Sequence, residues 1–287
     1  MIQILFRNVR PLVIGNIGLI LLQVVLVWQG IWLIYPDQAS LSTPVLTSST
    51  EIPELFLPDL RTLPLSDLDI ISLRNGDRVI RLTNTIWNSG DGPLELKAVH
   101  NPATQTMIVE QRIYGRDELQ LSQPVGEFIW HEEHNHWHFK EFSIYELWTL
   151  SPIGGLDRLV STSGKVSYCV IDSDIVDRAV DGFIPFGRYR GCGKTLQGLS
   201  VGWGDKYEYF LEGQSVSLAG VKDGFYVLKS TVNPDSLLLE ANYDNNSTLY
   251  YLHVHGHNIE SIDLEKYFER RCQPSDWWTM QRIICGY

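Results

Sequence analysis

The sequence is short of cysteine, short of positive charge and free of any solenoid-type repeat. Its 287 residues hold four cysteines, Cys169, Cys192, Cys272 and Cys285, with no Cys-x-x-Cys zinc pattern among them. An even count in an exported chain favours two disulfides. Lysine and arginine number 23 against 34 aspartates and glutamates, a formal charge of −11. That balance excludes a basic nucleic-acid-binding surface. It draws cationic partners, such as amines, and also serves plain solubility. The hydrophobic share of 44% gives no sign of overall disorder, and nine tryptophans and thirteen tyrosines suit a β-rich core.

Charge is missing altogether from Pro11 to Tyr35, directly after Arg7 and Arg10. A spanning helix needs about 20 mainly apolar residues, and a signal-peptide core about 7–15. The run is long enough to span, and Trp28, Trp32 and Tyr35 cluster near its exit, where aromatic rings prefer the interface. With no convincing small-x-small cleavage site before Ser40, residues 1–36 read as a short cytoplasmic N-terminus and an uncleaved transmembrane signal anchor. A cleaved signal with secretion of the remainder is the alternative. Either way the rest of the chain is extracytoplasmic. Residues 37–54, rich in Ser, Thr and Pro, form a linker.

From Leu55 the chain becomes short strands punctuated by turns. Val79 to Trp87 alternates Val79, Arg81, Thr83 and Thr85 with Ile80, Leu82, Asn84 and Ile86, and Asn88 to Pro93 is a strong turn signal. Leu94–Val99, Thr106–Tyr114, Phe142–Leu150 and the end of Gly220–Val232 are further strands, and residues 173–190 a long irregular loop. Turns at roughly ten-residue intervals predict an all-β fold, a β-sandwich with irregular loops. A short helix is expected over Glu260–Arg271, capped by Ser261, within a C-terminal tail of residues 259–287.

The most informative stretch is Trp130-His131-Glu132-Glu133-His134-Asn135-His136-Trp137-His138, which holds four of the eight histidines. In an extended strand His134, His136 and His138 would line one face and converge on one ion. Neutral imidazole suits copper, zinc, iron or nickel. His253, His255 and His257 form a second alternating triplet. It has three readings: a second metal site, a second shell to the first, or a histidine-rich sheet face with no ligand.

The segment Trp130–Leu147, with its His-x-His-aromatic-His core and Glu141-Phe142-Ser143-Ile144-Tyr145-Glu146-Leu147 tail, resembles the copper-binding signature of the lysyl oxidase family. The resemblance extends in order from Leu57-Pro58-Asp59-Leu60 through Gly164-Lys165-Val166-Ser167-Tyr168-Cys169 and Cys192…Gln197-Gly198-Leu199-Ser200 to Tyr207 and the Glu240-x-x-Tyr243-x-Asn245-Asn246 turn. It implies a catalytic domain over residues 55–258. It implies Cu(II) held by His134, His136 and His138, with His131 a family histidine that is not a ligand. It also implies a Cys169–Cys192 disulfide, and Cys272–Cys285 would then staple the tail. Lys165 and Tyr207 would form lysine tyrosylquinone, although Lys165 alone reads as a surface lysine and Tyr207 as a packed tyrosine. The implied reaction is oxidative deamination of primary amines, peptidyl lysine or smaller, by dioxygen, releasing aldehyde, ammonia and hydrogen peroxide. The base is not readable from the sequence; Asp172 and the second histidine triplet are the candidates. Animal family members carry more cysteines, and Glu133 replaces a cysteine of their copper motif, so the lean count points to a microbial relative. Two rival classes are a three-histidine zinc hydrolase and a non-catalytic metal-binding or adhesion β-sandwich.

Overall fold

The computed structural model describes residues 54–101, 106–116 and 118–271. The expected anchor, most of the linker and the Cys272–Cys285 bridge lie outside them. Among the described residues no helix is long and apolar enough to cross a membrane.

The described chain is all-β, apart from one helix. In order it forms β1 (Leu60–Thr62), β2 (Ser66–Ser72), β3 (Arg78–Asn88), β4 (Leu94–Asn101), β5 (Thr106–Tyr114), β6 (Leu119–His131), β7 (His136–Leu150) and β8 (Leu156–Tyr168). There follow β9 (Asp174–Ile175), β10 (Leu196–Leu199), β11 (Trp203–Tyr207), β12 (Ser215–Ser217), β13 (Gly224–Val232), β14 (Ser247–His255), β15 (Asn258–Ser261) and α1 (Leu264–Arg271). One sheet runs β1-β3-β11-β9, with β2 and β12 also on β3; the other runs β10-β4-β5-β6-β7-β13-β14-β15, with β8 on β7. Neither closes into a barrel. Their apolar faces meet in one core, to which Ile80, Leu82 and Ile86 come from the first sheet and Phe142, Tyr145, Leu147 and Leu228 from the second. Each such side chain contributes about 1.5–3 kcal/mol on burial.

The alternation in β3 places Ile80, Leu82 and Ile86 inward as expected, and with them the polar Asn84, also fully buried. Its amide donates to the Tyr145 and Tyr168 hydroxyls at 3.3 and 3.2 Å and accepts from Ser230 at 3.3 Å. This polar knot in an apolar core lies behind the candidate site.

Two local expectations change. The helix begins at Leu264, not Glu260, because Asn258–Ser261 pairs with β14 instead. Its cap is Asp263, whose carboxylate accepts the Lys266 amide at 3.3 Å, the N3 bond of a capping residue. The sheet therefore continues past residue 258, the expected end of the catalytic domain. The strands β6 and β8 were not anticipated: Pro124 and Gly126 interrupt the pattern of β6, and most of β8 is exposed.

Candidate metal and redox site

The histidine stretch is a hairpin rather than one strand. His131 closes β6, residues 132–135 form the turn and His136 opens β7; Ile129 pairs with His138 and His131 with His136. Asn135 takes a φ of 56°, a left-handed conformation that asparagine tolerates. Cross-strand pairing puts His131, His136 and His138 on one face. His134 joins them from the turn, its ring 4.4 Å from His131, 5.3 Å from His136 and 5.6 Å from His138. The three expected imidazoles thus do converge, but by turn geometry, and they bring in a fourth. Strand alternation could not show this, since His131 becomes a neighbour only once the chain reverses.

Ligand atoms of His131, His134 and His138 lie within 4.8 Å of one another, as do those of His136, Cys169 and Cys192. The Nε2 atoms of His136 and His138 approach to 2.8 Å. His138 is 3% exposed. Its basicity is pushed down to about 3, by burial first and then by the His131, His136 and His134 rings. Burial lowers His136 as well. Both are therefore neutral near pH 7, the form that ligates a metal. His131 donates from Nε2 to the Glu212 carboxylate at 3.0 Å, while its buried Nδ1 has no partner. A buried, partnerless ring nitrogen within a group of imidazoles suits a borderline metal ion.

The Gln197-Gly198-Leu199-Ser200 run explains how the hairpin is held. The Gln197 side chain accepts the Val170 amide at 3.0 Å and donates to the carbonyls of Trp137, at 2.7 Å, and Gly193. A Cβ on Gly198 would sit 2.1 Å from the Leu94 carbonyl, so only glycine lets β10 lie this close to β4. The Cys169–Cys192 disulfide is formed, and the Trp137 amide donates to the Cys192 carbonyl at 3.3 Å. The disulfide loop is thereby bolted to the strand carrying His136 and His138.

Tyr207, in β11, lies below this group and is 7% exposed. Its ring centroid is 6.4 Å from that of His138 and 3.9 Å from that of Tyr168, and its hydroxyl accepts the Cys169 amide at 2.6 Å. Burial, and then the nearby Asp205, hold the phenol well above its ordinary range. Tyr207, Asp205, Lys206, His134, His136 and the disulfide border a cleft of about 400 Å³.

The structure does not bring Lys165 to this cleft. Val166 and Tyr168 of β8 point inward, whereas Lys165 is exposed. Its ammonium binds Asp235 and, at 3.1 Å, Glu141. Those bonds, Asp235 foremost, raise its basicity. Asp172 is not among the cleft residues either. Its Oδ1 accepts the Ser200 amide at 2.8 Å, and its Oδ2 accepts the Ser200 hydroxyl at 2.7 Å and the Tyr189 amide at 3.0 Å. It is a loop anchor with no free oxygen for proton transfer.

Two members of the second triplet, His253 and His255, lie side by side with ring centroids 5.5 Å apart, but their contacts are otherwise separate. His253 stacks on Phe225 at 4.4 Å, His255 faces Glu260 at 3.5 Å, and His257 lies beyond the Gly256 turn. The strand β13 carries Phe225 beside Tyr226, which pairs with Thr149 at the far end of β7 from His136. At about 3.3 Å per residue, that separation is on the order of 40 Å. A second shell to the first site is therefore ruled out by distance, and these three histidines form no metal-ligating group among the described residues.

The lysyl oxidase family model matches residues 104–263. The chain belongs to the lysyl oxidase family. It is 33% identical to protein-lysine 6-oxidase of Gallus gallus over 147 residues, 50% of this chain and 32% of that protein. The Sus scrofa protein-lysine 6-oxidase is 32% identical over 50% of this chain and 54% of its own length, and lysyl oxidase homolog 1 of Homo sapiens 32% over 52% and 24%. The chain thus spans about half or less of the length of these relatives. Within the family match lie all four clustered histidines, Lys165, the disulfide and Tyr207, so family and site coincide.

Proposed function

We propose that this lysyl oxidase family member is a copper-dependent amine oxidase that makes its own quinone, lysine tyrosylquinone, from Lys165 and Tyr207. The observation that supports it most is the placement of a buried tyrosine beside neutral imidazoles at an open cleft. In this reading His134, His136 and His138 hold Cu(II), and His131, fixed by Glu212, packs on His138 at 4.6 Å as their neighbour. Copper fits the all-nitrogen donor set and has the redox activity that zinc lacks. When formed, the quinone supplies the electron sink that lets a primary amine be oxidised to an aldehyde, with dioxygen as final acceptor and hydrogen peroxide and ammonia released.

The chain's own residues do the positioning. The Cys169 amide holds the Tyr207 oxygen in place, Tyr168 packs against its ring, and the disulfide fixes the cleft wall. Burial keeps bulk water from the tyrosine and holds it in a fixed geometry. Lys165 must shed its proton and leave Asp235 and Glu141 before its nitrogen can act as a nucleophile. The register of β8 against β7 shifts between Phe139 and Ser143, next to the segment that carries Lys165, and Glu141 there has a φ of 59°. The acidic balance and the disulfide suit an exported protein acting on cationic amines, with residues 1–36 as anchor or cleaved signal.

The test is spectroscopic. Full-length protein given copper and air should develop a visible quinone band that shifts on adding phenylhydrazine, and Tyr207→Phe should remain colourless. A copper-holding wild type without such a band contradicts the reading and favours a zinc-type hydrolase or a binding module.

A further inference from the structure

The proposed reaction needs a group to take the proton from the carbon that bears the substrate amine. Asp172 is spent on Ser200 and Tyr189. Among the polar side chains bordering the cleft, nearly all are committed. His134 and His136 are assigned to the metal. The Ser173 hydroxyl serves Asp174, at 2.8 Å, and the Lys206 amide, also at 2.8 Å. The Lys206 ammonium turns to Glu208 at 3.5 Å, and the Tyr207 oxygen is held by Cys169. Asp205 differs. It is 1% exposed, and its Oδ2 has no hydrogen-bond partner. It stands two residues before Tyr207 on β11, so both side chains leave the strand on the same side. A buried carboxylate without a cation costs several kcal/mol, only partly offset by its hydrogen bond from the Ile171 backbone amide.

We propose that Asp205 is the proton acceptor of amine oxidation, its free Oδ2 taking the proton from the amine-bearing carbon. The C–H bond breaks, the proton forms an O–H bond on Asp205, and the electron pair passes to the quinone. Dioxygen later removes two electrons and two protons as hydrogen peroxide. This assignment rests on the quinone reading above. Burial, reinforced by Asp172 and Asp174, raises the basicity of Asp205 well above that of an ordinary carboxylate.

The experiment compares full-length, copper-loaded wild type, Asp205→Asn and Asp205→Glu. Each is treated with phenylhydrazine, and separately with benzylamine carrying hydrogen or deuterium on the carbon next to nitrogen. Asparagine preserves shape, so the variant should form the hydrazine adduct in wild-type yield yet oxidise benzylamine roughly 10²–10⁴-fold more slowly. Its residual rate should show a larger isotope effect, and glutamate should restore part of the activity. Wild-type turnover in Asp205→Asn overturns the assignment, and so does loss of its hydrazine adduct, which would place Asp205 in building the site instead. A wild type that does not react with phenylhydrazine overturns the underlying quinone reading, so the two failures are distinguishable.

Discussion

At the scale of single residues, the histidine group poses a choice that distances alone leave open. Proximity favours His131, His134 and His138, whereas the sequence motif favours His134, His136 and His138. The tie to Glu212 gives His131 a partner of its own. We therefore expect His136→Ala to lose stoichiometric copper by elemental analysis, while His131→Ala retains it. The reverse pattern would exchange their roles. The motif's three imidazoles do lie together, His136 and His138 on β7 and His134 in the turn before it. The sequence did not show His131 beside those rings or Asp205 at the cleft, because one placement needs the hairpin and the other a strand of the opposite sheet.

Among the elements, the Glu240 turn shows what a motif can conceal. Glu240 is buried and accepts the Leu60 amide at 2.8 Å, the Asn233 amide group at 2.6 Å and that of Asn246 at 2.8 Å. It clasps β1 to the end of β13, a structural role that the residue types alone did not distinguish from a recognition loop. Glu240→Ala strands three donors, so chemical denaturation should show a loss of roughly 3 kcal/mol or more. Burial pushes the Glu240 carboxyl up to about 7 despite those donors. The native state then keeps a proton that the unfolded chain releases near its ordinary value of 4.5. This group's contribution is fully present below pH 4.5 and is lost as pH rises through 7. Wild type should therefore lose melting temperature relative to Glu240→Gln across that window; a constant difference would contradict the shift. For β8, weakening the Lys165 tether in an Asp235→Asn, Glu141→Gln double variant should speed the appearance of the quinone band after copper addition. An unchanged rate would mean that another step limits cofactor formation.

Over the whole molecule, the sequence revealed the all-β class and most strands because turn residues and alternation are local signals. It concealed which strands share a sheet and the long β6 and β8, which depend on pairing across the chain. The formal charge of −11 also acts at this scale. Steering by an acidic surface is screened by salt, so kcat/KM for a diamine should fall with ionic strength more steeply than for a monoamine. Equal slopes would show that the surface field does not matter. The central claim is the union of two residues that the fold holds apart: Tyr207 at the cleft and Lys165 on the outer face of β8, bound to Asp235. Peptide mass spectrometry of full-length protein matured with copper and air tests it most directly. The account predicts a covalently joined pair of peptides, one containing Lys165 and the other Tyr207. Recovery of both peptides unlinked from protein that oxidises amines, or a link from Tyr207 to its neighbour Lys206, would contradict it.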